Sequence, residues 1–156
     1  MDSGERISEH ISYEEATESA TAERLGIENI PSEEAIAAMK LIARKVFEPL
    51  RKFWKWPIWI SSFYRCPEVN KGLRGSKTSQ HMSGEAMDID AQVYGHLTNR
   101  DVFEYIRGNC QFDQLIWEEG TDLEPAWVHV SYSAKGNRMQ VLRKYKIKGK
   151  VKYVTL

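Results

Sequence analysis

The sequence predicts an α+β domain in which N-terminal helices pack on a central antiparallel sheet. Three observations carry this. An apolar stripe at helical spacing fills residues 32–51, short apolar runs of strand character cluster after residue 110, and no repeat, low-complexity tract or linker interrupts the 156 residues. That length suits one core rather than two. The chain 1–156 is therefore read as one domain, with 1–31 as an N-terminal helical extension and 138–156 as a basic C-terminal strand pair.

In order along the chain, Ser12 with Glu15 has capping-box spacing and starts a short helix. A further turn runs over Ala22 to Leu25, where Gly26 stops it. Ser32 caps the long helix, with Glu33 and Glu34 placed to favour its N-terminal dipole. Ile36, Met39, Ala43, Val46, Phe47 and Leu50 form its buried stripe, and Pro57 ends the pattern. Ile58 to Ser62 reads as a strand, Pro67 to Lys71 as a helical turn and Gly72 to Gln80 as a loop. Ala86 to Ala91 is a second strand, and Thr98 caps a helix over Asn99 to Gly108 that buries Val102, Phe103 and Ile106. Gln114 to Glu118 and Ala126 to Ser133 form an antiparallel pair, and Met139 to Tyr145 with Val151 to Thr155 extends the sheet through a turn at Lys148-Gly149.

Composition narrows the function. The formal net charge is zero, which gives no footprint of a nucleic-acid binder. No window has the length and apolarity of a membrane span, and the first residues lack the apolar stretch of a signal peptide, so a cytoplasmic start is expected. The basic run from Arg138 to Lys152 reads as solvated lysines guarding a sheet edge, ahead of an adhesive patch for an acidic polymer. Cys66 and Cys110 have neither ligand spacing nor a disulfide framework. A monomer is expected. His10 and His96 have no partner spacing and read as surface residues.

The chemistry concentrates in Ser79-Gln80-His81-Met82-Ser83-Gly84-Glu85-Ala86-Met87-Asp88-Ile89-Asp90. His81 and Asp88 flank a glycine able to make a sharp turn, so a loop folding back into a strand brings both side chains to one point. A third ligand candidate is His129 in Trp127-Val128-His129-Val130-Ser131, where alternation puts the imidazole on one face and the two valines on the other. Two imidazoles and one carboxylate suit Zn2+ and leave a coordination position open, as a catalytic site requires.

Ser-x-His-x-x-Gly-x-Ala-x-Asp-Ile followed by Trp-Val-His-Val-Ser resembles the signature of the M15 family of zinc peptidases. Within it, the chain resembles the short D-alanyl-D-alanine carboxypeptidase-like branch of bacteria and phages, whose fold and metal site the Hedgehog signalling domain shares. The segments Val46 to Arg51 and Ser61 to Arg65 also fit. The resemblance implies that His81, Asp88 and His129 ligate zinc, with Asp90 left as a neighbouring or surface acid. It implies that Arg65 meets a substrate carboxylate or the developing oxyanion, that Ser79 bonds the loop or the substrate, and that Trp127 walls the pocket or joins the core. It further implies hydrolysis of peptidoglycan stem peptides, either as a D-Ala-D-Ala carboxypeptidase or at an internal L-Ala-D-Glu bond. A product without a leader would reach the wall through a holin.

The general base departs from the family pattern. Relatives place a glutamate three residues before the last histidine, and Ala126 stands there. Glu118 is the first choice, since a hairpin would bring it beside His129; Glu124 and then Glu119 follow. Two other readings stay open: a non-catalytic zinc-binding recognition module, and a wall-binding or phage structural protein on the same fold.

Overall fold

The computed structural model describes residues 5–156. Strands β1 (Arg6–Ser8) and β2 (Ile11–Ser12) form a small hairpin. Helices α1 (Tyr13–Thr17) and α2 (Ala20–Leu25) follow, each capped by a serine hydroxyl, and Gly26 closes α2 at φ 65°. The extension is thus part strand, and it is integral rather than appended: Ile7, Ile11, Ala16 and Ala22 join the main core.

The long helix comes in pieces. α3 (Glu33–Ile42), capped by Ser32, runs into a π turn over Ala43–Phe47 and then α4 (Glu48–Trp54). Pro49 has no N–H for the carbonyl one turn back, and the widened turn ahead of it lets the helix continue past it. Lys55, at φ 62°, ends the helix before Pro57 is reached.

Six strands make the main sheet: β3 (Ile60–Ser62), β4 (Ala86–Ile89), β5 (Gln114–Glu118), β6 (Trp127–Ser131), β7 (Gln140–Ile147) and β8 (Lys150–Thr155). Their order is β3-β4-β6-β5-β7-β8. α5 (Pro67–Gly72) and α6 (Asn99–Asn109) lie in the connections, and Thr98 and Asp101 form a full capping box on α6.

The sheet is mixed, not purely antiparallel, because β5 and β7 pair in parallel. The cause is topological. β6 returns antiparallel to β5 and its other edge is taken by β4, so a strand reversing direction after β6 finds its place only on the far side of β5.

Alternation splits the sheet into two faces. Met87, Ile89, Leu115, Trp117, Val128 and Val130 are buried in the core with Val102, Phe103 and Ile106 of α6 and the Met39–Leu50 stripe. Asp88, Ile116, Glu118, Trp127 and His129 line an open cavity on the other face.

Candidate metal centre

Asp88 stands directly opposite His129 in the β4–β6 register. His81 arrives from a different element, a single 3-10 turn (Gln80–Ser83) capped by Ser79, whose Oγ accepts from the His81 N–H at 3.3 Å. Gly84 lets that turn dock. Its φ is +74°, and a Cβ there would lie 2.3 Å from the Ala35 carbonyl oxygen on α3.

The His81 ring is fixed by a 2.7 Å bond from Nδ1 to the Phe63 carbonyl, which leaves Nε2 with the lone pair. That Nε2 is buried, has no hydrogen-bond partner among the described residues, and sits 3.4 Å from Asp88 Oδ2. His129 Nδ1 lies 3.0 Å from Asp88 Oδ1. The three ligand atoms all fall within 4.8 Å of one another. Tetrahedral zinc with bonds of about 2.0–2.1 Å separates its ligand atoms by roughly 3.3–3.5 Å, so the cluster fits such an ion. The orphaned Nε2 is the group a cation would satisfy.

Asp88 is the node. Burial alone would raise its pKa, but the electrostatic influence of the His81 ring and the His129 hydrogen bond hold it well below the usual carboxylate range. Arg65 adds a 3.0 Å bond from Nη2 to Asp88 Oδ2 and anchors its Nε on Ser62 Oγ at 2.9 Å. Arg65 thereby braces the cluster, and it also lines the cavity with N–H donors beyond those two.

A family profile described as peptidase M15 matches residues 9–131. The chain belongs to the peptidase M15 family. No curated protein matches it. The M15 match spans every element from α1 to β6, including the whole His81, Asp88 and His129 cluster.

The other acids in this M15 chain separate clearly. Glu118 is buried, faces the cavity and lies across β5–β6 from Trp127, two pairs along from the Ile116–His129 pair. Burial pushes its pKa up, against the lowering charges of Lys144 and His129. Glu124 points elsewhere: its Oε1 accepts the Arg100 N–H at 2.6 Å, at the start of α6. Glu119 follows on a left-handed backbone (φ 51°), and its carboxylate lies 3.9 Å from Lys144 Nζ. Asp90 falls beyond the end of β4, where its Oδ1 accepts from Asn99 Nδ2 at 3.1 Å.

Ser79 and Trp127 both line the cavity, of 820 Å³. His96 stacks on Trp56 in an exposed position. His10 does have a partner, since its Nδ1 lies 2.7 Å from Glu48 Oε2. Glu9, His10 and Glu48 form a second grouping of ligand types, yet Glu48 already accepts from Ser8 and from the His10 N–H, and Arg44, Arg51, Lys52 and Lys55 share its groove.

The sequence reading did not pick out Asp113, Lys144 or Tyr153. Asp113 is buried and accepts from Gln80 Nε2, Arg138 N, Arg138 Nε and Arg138 Nη2. The basic C-terminal run is only partly solvated: Arg143 bonds Asp122 and lies over the rings of Trp117 and Tyr145, and Lys144 pairs with Glu118. These contacts join residues remote in sequence, so no local pattern announces them. No helix among the described residues is long and apolar enough to cross a membrane.

Proposed function

We propose that the protein is a zinc-dependent peptidase that hydrolyses peptide bonds in peptidoglycan stem peptides, at terminal D-Ala-D-Ala or at internal L-Ala-D-Glu. One observation carries the reading: two imidazoles and a carboxylate converge on a cavity that also holds a buried glutamate, in a chain of a peptidase family. His81, Asp88 and His129 would hold the ion. Bound zinc supplies Lewis acidity, polarising the scissile carbonyl and acidifying a water.

Glu118 would take the proton of the attacking water and return it to the leaving amine. Its raised pKa suits that exchange better than an ordinary exposed carboxylate would. Arg65 keeps Asp88 oriented and turns its remaining donors to the developing oxyanion or to a terminal carboxylate. Ser79 and Trp127 contribute the cavity wall against which the peptide lies.

Mass spectrometry of muropeptides incubated with the zinc-loaded protein, with and without chelator, tests this directly. Glu118→Gln should lower turnover by about 10²-fold or more while zinc stays bound. Near-normal turnover would remove Glu118 from the role. His81→Ala or Asp88→Ala should lose stoichiometric zinc. Zinc binding with no cleavage of any muropeptide would favour a recognition module instead.

A further inference from the structure

The M15 profile ends at residue 131, but the sheet and the cavity do not. β7 and β8 add a wall to the site, and register aligns it with the proposed base. Glu118 pairs with Lys144, and Lys144 pairs with Tyr153. One cross-strand row thus runs from Trp127 through Glu118 and Lys144 to Tyr153, and all four residues line the cavity.

The Lys144 ammonium lies 3.4 Å from Glu118 Oε2 and 5.7 Å from the centre of the Trp127 ring. The Glu118 side chain is 8% exposed and that of Lys144 is 20% exposed. Oε2 of Glu118 has no hydrogen-bond partner among the described residues, so this ion pair is what compensates its burial. Lys144 is also the one cation among the described residues within 4.0 Å of that carboxylate.

We propose that Lys144 is a positioning residue that holds the Glu118 carboxylate at the metal cluster, so that the C-terminal hairpin completes the site. This rests on the reading of Glu118 as the base. The rival role, an anchor for a substrate carboxylate, fits the charges less well. Glu119 Oε2 lies 3.9 Å from the same ammonium, so two carboxylates already face one cation and a third would be repelled.

The test uses the full zinc-loaded chain, with kcat, KM, zinc content and melting temperature measured for Lys144→Met, Lys144→Arg, Glu118→Gln and the Glu118→Gln/Lys144→Met double variant. Lys144→Met should lower kcat by about 10-fold with KM little changed, and Lys144→Arg should recover most of the loss. In the Glu118→Gln background Lys144→Met should cost nothing further in kcat. The melting temperature should behave likewise: Lys144→Met lowers it in the parent, where it strands a buried charge, and hardly at all once Glu118 is neutral. A risen KM with kcat kept would assign Lys144 to the substrate and overturn the proposal. So would additive losses in the double variant, or an Arg variant as impaired as Met. A parent protein without zinc-dependent turnover, or a fully active Glu118→Gln, would instead sink the reading on which the proposal rests. The melting-temperature coupling would still report whether the pair exists.

Discussion

Asp113→Asn probes how the hairpin is tied to the turn that carries His81. The Asp113 carboxylate joins Gln80, next to His81, to Arg138, just before β7. The Arg138 hydrogen bonds, against a smaller cost of burial, hold its pKa at about 2, below the ordinary 3.8. A depressed folded-state value means stability present above the unfolded pKa and lost as pH falls through the folded one. The shift corresponds to about 2 kcal/mol at most, and less after screening, because the Arg138 side chain is 60% exposed. Asparagine keeps one acceptor but turns an N–H₂ towards donors, so at pH 7 it should cost about 1–2 kcal/mol, or roughly 2–8 °C in Tm. Urea unfolding of both proteins from pH 7 to pH 2 isolates this group from other titrating acids. The gap should hold down to about pH 4 and shrink as pH approaches 2, where Asp113 itself becomes neutral. A gap that stayed constant across that range would show that packing, not charge, is what the aspartate contributes.

Three further outcomes are expected. Gly84→Ala should cost about 2–4 kcal/mol in denaturant unfolding and weaken zinc uptake, because a left-handed backbone and the Ala35 carbonyl both reject the methyl; a neutral effect would refute the docking of the His81 turn on α3. Glu124→Gln should leave kcat unchanged and cost less than about 1 kcal/mol, since Glu124 serves the α6 N-terminus; a large loss of turnover would restore it as a base. Burial pushes the Cys110 thiol up to about 11, so its alkylation by iodoacetamide at pH 8 should run roughly 10²-fold slower than that of a free thiol, and rapid labelling would contradict its environment.

What the sequence made legible was local and periodic. Ser12, Ser32 and Thr98 each cap the helix whose start they marked in the sequence, and the alternation around His129 placed the imidazole and the valines on opposite faces. The β1–β2 hairpin was not legible, because two or three residues per strand carry no usable alternation. Nor was the π turn before Pro49, where a helical apolar stripe looks the same with or without one extra residue. The parallel placing of β7 follows from which edges β4 and β6 leave free, a property of the assembled sheet. Asp113 and Lys144 were missed for the same reason: each matters through partners more than twenty residues away.

The site inherits its alignment from the core behind it. On the open face two neighbouring rows cross the sheet. One runs from Ser62 through Asp88, His129 and Ile116 to Leu142, and the other from Trp127 through Glu118 and Lys144 to Tyr153. The first carries Asp88 and His129, two of the three candidate ligands, and the second carries the buried glutamate and its cation. Their spacing is two residue pairs along the ladder, fixed by the two-residue period between His129 and Trp127. Slipping β6 by one residue against β4 would turn His129 into the core and expose Val128 and Val130, both fully buried. Losing those two valines from the core would cost about 3–6 kcal/mol, a large part of the stability of a domain this size. Apolar packing on the hidden face therefore selects the register that brings Asp88 and His129 opposite each other, and the polar row needs no stabilising energy of its own to stay aligned.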